Sequence, residues 1–274
     1  MSRNHHPSHT PFSRRRALAL FGAAGTSILV ACSDSADSTT ATTGSGSPET
    51  TSGTTTDSLT TGSTDSTPTP SETGGPFPSD GTNDDGSGAT ADVMHDPRAM
   101  RRDIRSNLDG SETQAGVPLT LRMRLVSKSV PLAGAAVYVW HCNKDGAYSD
   151  YNSRMLGGDY SAYSFLRGVQ VADADGRVEF QSILPGRYPG RAFHIHFAVY
   201  SDDGFGTRLL TSQMAIDDDL IDSLFAGASG YENSLQADTD NSQDNVFSDG
   251  VAHQLLTVTG DVASGLTADF TAVV

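Results

Sequence analysis

Cysteine is nearly absent from this 274-residue chain, which holds only Cys32 and Cys142. That excludes a disulfide-rich scaffold and a Cys-based zinc finger. Basic residues are scarce as well, 18 Lys and Arg against 33 Asp and Glu. A chain of net charge −15 lacks the basic face that phosphate binding needs, so no nucleic acid partner is expected. Long apolar runs are missing except for Ala17 to Ala31, and those fifteen residues fall short of a bilayer span. There is no internal repeat and no Gly-rich phosphate loop at a strand–helix junction.

What is present divides into three unlike segments. Residues 1–31 carry four Arg and no acid, and a basic start followed by a short apolar run reads as an export signal. The run closes with Leu29-Val30-Ala31-Cys32, which resembles a bacterial lipobox and implies a diacylated Cys32 as the mature N-terminus. A plain secretory signal with a nearby Cys is the alternative. Arg14 and Arg15 resemble a twin-arginine signal, although Ala17 stands where that motif usually has Phe, which leaves ordinary Sec export as the other reading. Residues 32–72 form a Ser/Thr-rich segment with too little apolar surface to offset chain entropy. It reads as a tether that holds the rest of the chain off a membrane, which is touched only through the Cys32 lipid. The expected location is therefore the bacterial cell surface, or the periplasmic or extracellular side of the membrane. Residues 73–274, roughly 200 in number, are enough for one domain with its own core.

That domain reads as all-β. Leu119, Leu121, Met123 and Leu125 alternate with Thr120, Arg122 and Arg124, the period of a half-buried strand. Further strand-like runs are Ala135–Cys142, Arg177–Ile183, Phe193–Tyr200, Leu209–Ile216, Gln254–Thr259 and Ala268–Val274. Turn chemistry separates them, as in Asp173-Ala174-Asp175-Gly176 and Pro185-Gly186. Seven short strands with few helical patterns predict a β-sandwich with long loops. Helices are expected only around Asp96–Ile104 and Asp217–Phe225.

Chemistry concentrates in residues 185–197. On an extended strand Phe193, Ile195, Phe197 and Val199 share one face, and His194 and His196 share the other. Two such imidazoles converge on one metal if the opposite face is buried; otherwise they are histidines on a solvated face. Tyr188 lies just upstream, among Pro185, Gly186, Pro189 and Gly190, whose backbone preferences aim a side chain rather than extend a sheet. Tyr148 sits in a separate turn after an apolar strand. Two phenols and two imidazoles do not suit calcium or magnesium. A phenolate is a hard anionic donor suited to a ferric ion, whose charge would ionise a group of pKa about 10.

Several motifs occur in order around these residues: Thr73-Gly74-Gly75-Pro76-Phe77, Pro131-Leu132-Ala133-Gly134-Ala135, Val139-Trp140-His141-Cys142, Gly146-Ala147-Tyr148-Ser149, Phe165-Leu166-Arg167-Gly168-Val169-Gln170, Pro185-Gly186-Arg187-Tyr188 and Arg191-Ala192-Phe193-His194-Ile195-His196. Together they resemble the intradiol ring-cleavage dioxygenases, a family that includes protocatechuate 3,4-dioxygenase and catechol 1,2-dioxygenase, over roughly residue 73 to the C-terminus. The resemblance implies non-haem Fe(III) held by Tyr148, Tyr188, His194 and His196. It implies that Arg191 stabilises negative charge on the bound ring, with Gln213 as a second pocket residue. It implies a catechol-type substrate and O2 as partners, Tyr188 as a ligand that leaves and takes a substrate proton, and a muconate-type diacid as product. A cell-surface binding module without chemistry is the reading from another class. Zinc or copper at the same ligands is a third, disfavoured by paired tyrosines.

Other residues invite plainer readings. Trp140 is the only tryptophan and reads as core. His141 and Cys142 are adjacent and point to opposite faces, so they form no joint site. Tyr151, Tyr160 and Tyr163 either line the pocket or pack their loop. Arg167 reads as a structural hydrogen-bonding residue near the site. Asp217-Asp218-Asp219 reads as a turn or helix start.

Overall fold

A computed structural model of the chain describes residues 67–274. The export signal, the Cys32 lipid site and nearly all of the tether lie outside the described residues. The strands are β1 (Asp80–Asp84), β2 (Thr90–Asp92), β3 (Pro118–Ser127), β4 (Val130–Pro131), β5 (Ala136–Trp140), β6 (Asn152–Ser153), β7 (Gly158–Asp159), β8 (Arg167–Val171), β9 (Arg177–Ile183), β10 (Ile195–Tyr200), β11 (Arg208–Met214), β12 (Thr257–Asp261) and β13 (Gly265–Val273). Two short helices, α1 (Asp218–Gly227) and α2 (Glu232–Gln236), stand between β11 and β12.

Two sheets carry the fold. One has the order β11-β10-β5-β8; the other runs β12-β13-β3, with β9 and β4 both pairing β3. The second sheet contains the parallel pair β3–β13. Alternation along each strand sends one set of side chains between the sheets. Leu119, Leu121, Met123 and Leu125 of β3 meet Val137 and Val139 of β5, Phe180 of β9, Ile195, Phe197 and Val199 of β10, and Phe270 of β13 in one core cluster. This is the predicted β-sandwich.

The four-stranded sheet is also covered on its outer face. Ala136, Tyr138, Trp140, Val169, Ala198 and Tyr200 form a second cluster there under Phe77, Val93, Met94, Tyr148 and Tyr151. As a result β5 and β10 are buried at every position. Residues just before the composition boundary at Thr73 are also bonded to the sheets. The Thr69 amide donates to the Val273 carbonyl at 3.0 Å, and the Glu72 amide to the Thr211 carbonyl at 2.8 Å.

The helix expected at Asp96–Ile104 is not formed. Pro97–Ala99 makes one 3-10 turn, with Asp96 accepting from the Arg98 amide. Those residues carry the signature of a helix start, but the following backbone is claimed by the sheets. Arg101 donates to the Val169 carbonyl of one sheet, and Ile104 to the Gln181 carbonyl of the other. The segment is a stitch between the layers. Strand β8 was not among the expected strands. Its fully buried Arg167 and its Gly168 hide the alternation, and Gly168 is needed where Ile104 crosses. The second expected helix is present as α1, with Asp217 as its N-cap.

A methyl at Gly168 would stand 2.5 Å from Ile104 Cγ2. Gly168→Ala is expected to destabilise the domain by about 1–3 kcal/mol through overpacking, read as a lower urea midpoint with an unchanged slope.

Candidate metal and catechol site

One row of opposed residues crosses the four-stranded sheet. Arg167 of β8 faces Trp140 of β5, Trp140 faces His196 of β10, and His196 faces Gln213 of β11. Directly opposed residues of antiparallel strands project from the same face, here the outer one. His194 precedes β10 and joins His196 on that face, their rings 4.9 Å apart and edge to face. The condition for convergence is met, because Phe193, Ile195 and Phe197 fill the core behind them. Trp140 does more than pack: its indole lies parallel to the His196 ring at 5.0 Å.

The two tyrosines arrive from loops. Gly186 lets its loop close on the turn after β5, since a side chain there would collide with the Lys144 carbonyl at 2.2 Å. The Gly186 amide donates to the Asn143 carbonyl at 3.0 Å, and the Cys142 thiol donates to the Gly186 carbonyl at 3.3 Å. Gly146, at φ +85°, takes a left-handed conformation against the Tyr188 side chain. These contacts bring Tyr148 Oη to 3.0 Å and Tyr188 Oη to 3.1 Å from one nitrogen, His194 Nε2. His194 Nδ1 donates to the Ala192 carbonyl at 2.8 Å. That fixes the tautomer and leaves Nε2 unprotonated toward the phenols. Gly75 crosses above His196, where a Cβ would stand 3.2 Å from its Cε1.

Arg191 and Gln213 complete the cluster. Arg191 Nη2 donates to Gln213 Oε1 at 2.5 Å, and Nη1 lies 3.4 Å from His194 Nε2. Gln213 Nε2 donates to the Thr73 carbonyl at 2.8 Å, tying the covering segment to the site. All six residues singled out from the sequence thus share one locality.

Two residues outside that set hold it in place. Arg167 is fully buried and donates to the Pro78 carbonyl at 3.0 Å, to Ser149 Oγ at 3.0 Å and to the Ser149 carbonyl at 2.7 Å. It pins the residue next to Tyr148, which specifies the role expected for it. Asp244 had no place in the sequence reading. It accepts from Arg191 Nε at 2.8 Å and from the Ala192 amide at 2.9 Å. It lies in a polar stretch with no periodicity and no neighbouring motif, so no sequence signal marked it. Tyr151, Tyr160 and Tyr163 pack: Tyr151 donates to Asn83 Oδ1, and the other two flank Phe165. His141 bonds the Cys142 carbonyl and Ser182 Oγ and contributes nothing to the cluster.

Burial keeps all four candidate ligands uncharged. It pushes the Tyr148 phenol well above its ordinary pKa, with Tyr188 adding to the effect, and pushes Tyr188 up to about 12. Burial, then the Arg191 charge, brings His194 down to about 3; burial, then His194, holds His196 well below its usual value. Two phenol hydroxyls face one imidazole lone pair, and His196 Nδ1 is buried without a hydrogen-bond partner. Four donors, two of them hard once ionised, lie together in one buried locality. The donor set fits a ferric ion.

The family model described as dioxygenase matches residues 93–259, more than half of the chain. Among curated relatives, catechol 1,2-dioxygenase 1 of Acinetobacter lwoffii is 34% identical over 107 residues, 32% of this chain and 32% of that protein. Hydroxyquinol 1,2-dioxygenase of Rhizobium sp. (strain MTP-10005) is 34% identical over 134 residues, 42% of each chain. The protocatechuate 3,4-dioxygenase beta chain of Burkholderia cepacia is 33% identical over 109 residues, 35% of this chain and 44% of that one. The chain thus spans about a third to under a half of the length of these relatives. An intradiol ring-cleavage dioxygenase from Tetranychus urticae has the same fold, with a TM-score of 0.57 at 22% identity over 76% of this chain and 94% of that one.

Replacing Arg167 by Met would leave the Ser149 carbonyl buried without a donor and the Pro78 carbonyl with only the Tyr138 hydroxyl at 2.9 Å. Arg167→Met is expected to cost about 3 kcal/mol or more of stability, measured by urea denaturation.

Proposed function

From the premise that the chain belongs to the intradiol ring-cleavage dioxygenase family, we propose that it is an Fe(III)-dependent enzyme. It would insert both atoms of O2 between the hydroxylated carbons of a catechol-type aromatic and release a muconate-type diacid. The observation that carries this reading is the convergence of Tyr148 and Tyr188 on His194 Nε2 at 3.0 and 3.1 Å, beside His196. Tyr148, Tyr188, His194 and His196 would hold the metal. A ferric ion bound there would supply a Lewis acid, able to favour the ionised phenols and to withdraw electron density from a bound diol.

The residues of the chain divide the remaining work. Tyr148 is 1% exposed and is followed directly by Ser149, which Arg167 holds by its hydroxyl and carbonyl; this suits a ligand that stays. Tyr188 is less buried and lies in the Pro/Gly segment before β10, which suits one that moves away. A Tyr188 phenolate that leaves the metal would be a base placed to take a proton from an incoming diol hydroxyl at Oη. Arg191, held on two sides by Asp244 and Gln213, presents Nη1 toward the ligand cluster and stabilises negative charge that develops on the ring. The Trp140 ring, stacked on His196 at 5.0 Å, holds that imidazole in place.

Iron-loaded protein is expected to be red, from tyrosinate-to-Fe(III) charge transfer. Anaerobic addition of catechol should shift that band, and air should then yield a ring-opened diacid by mass spectrometry. Loaded protein without the band would defeat the ligand set, and a band unmoved by catechols would favour a binding module. Tyr188→Phe should retain part of the band and lose at least 100-fold in kcat, consistent with the loss of a positioned base.

Export and lipid anchoring at Cys32 form part of the same proposal and rest on the basic start, the apolar run and Leu29-Val30-Ala31-Cys32. Cys32→Ser should move the protein from the membrane to the soluble fraction of a bacterial host, and a membrane-bound variant would refute the anchor.

A further inference from the structure

Catechols differ most sharply in whether the ring bears a carboxylate. A ring carboxylate entering a buried site must find a cation, because desolvating an unpaired charge is costly. The arginines near the candidate site are already committed. Arg167 is used by Pro78, Ser149 and Tyr138. Arg187 is bonded to Asp222 at 2.8 Å and to the Ser234 carbonyl at 3.2 Å. Arg191 touches the ligand cluster, and its charge is balanced by Asp244, whose side chain is 0% exposed and lies 2.8 Å away. An ion pair so sheltered from water is little screened. Arg191 also spends its Nη2 edge on Gln213. A second carboxylate, that of Glu72, is near enough to interact with both Arg191 and Asp244. Apart from the metal centre, which every catechol would meet alike, the side-chain balance around the guanidinium is therefore neutral to negative before any substrate arrives.

Resting on the reading of the site as a catechol site, we infer that it selects catechols without an anionic ring substituent, and that Asp244 is the residue that sets this preference. Asp244 holds the guanidinium in register for the reacting ring and cancels the charge that would otherwise attract a carboxylate. It touches neither ring nor metal ligand and acts through Arg191, as a positioning residue. The acid excess of the chain points the same way at long range, and the Arg191–Asp244 pair removes the one local exception.

The test compares 4-methylcatechol with 3,4-dihydroxybenzoate, which are of similar size and differ in charge. Iron-loaded full-length protein is titrated with each by calorimetry under argon, and kcat/KM is then measured in air. At least a tenfold preference for 4-methylcatechol is expected, expressed in Kd and KM rather than in kcat. Asp244→Asn retains an oxygen for the Ala192 amide and frees the guanidinium charge. It should move the ratio at least tenfold toward 3,4-dihydroxybenzoate. A wild-type protein that binds 3,4-dihydroxybenzoate equally or better overturns the inference, whether or not the variant folds. An unchanged ratio in a folded Asp244→Asn variant overturns the role of Asp244. Selective binding without turnover would strike the proposed reaction and leave the inference standing.

Discussion

Burial of strand β10 on both faces is the constraint on which the site depends. Phe193, Ile195, Phe197 and Val199 anchor it in the core between the sheets, and that packing fixes the direction in which His194 and His196 point. The outer face would be solvated in an ordinary sandwich. Here Phe77, Tyr148 and Tyr151 cover it, and the Trp140 ring stacks on His196. Hydrophobic burial supplies the rigidity, and the two histidines occupy a polar locality inside it. A strand held on one face only would leave the imidazoles free to turn toward water.

Covering a sheet with loops leaves backbone carbonyls and amides to be satisfied, and two charged residues meet that need, Arg167 for carbonyls and Asp244 for amides. Arg167 spends its donors on Pro78 and Ser149, segments with no pairing of their own at those points. Asp244 collects the Arg191 guanidinium and the Ala192 and Val246 amides. A buried charge survives only when it is well hydrogen-bonded, and each of these makes four such bonds. They do for the loops what ladder hydrogen bonds do for the strands. The positions of Tyr148 and Arg191 are consequently as well determined as those of residues on β10. The same bonding makes the site electrically self-contained, with the cost of its arginines met inside the protein.

Much of this was legible in residue order. Alternation at Leu119–Leu125 and Phe193–Tyr200 is a local property, and the sheets kept it. Motif order around Tyr148, Tyr188, Arg191 and the histidines likewise marked the site, because that chemistry admits few substitutes for phenol, imidazole and guanidinium. Where expectation failed, local and long-range bonding disagreed. Asp96-Pro97 opens like a helix, but Arg101 and Ile104 were claimed by carbonyls of Val169 and Gln181 in two different sheets. Strand β8 does not alternate, since its Arg167 is buried for the sake of loops far away in sequence.

By itself, then, the sequence determined the all-β class, the identity of the six chemical groups and the face that two of them share, because periodicity and motif order are written along the chain. The tertiary structure alone decided that the phenols converge on one imidazole nitrogen, that Trp140 backs His196, and that Asp244 neutralises Arg191. Those contacts join residues up to 56 positions apart, the separation of Trp140 and His196. They are set by which loops close over which strands, a consequence of global packing that no local pattern encodes.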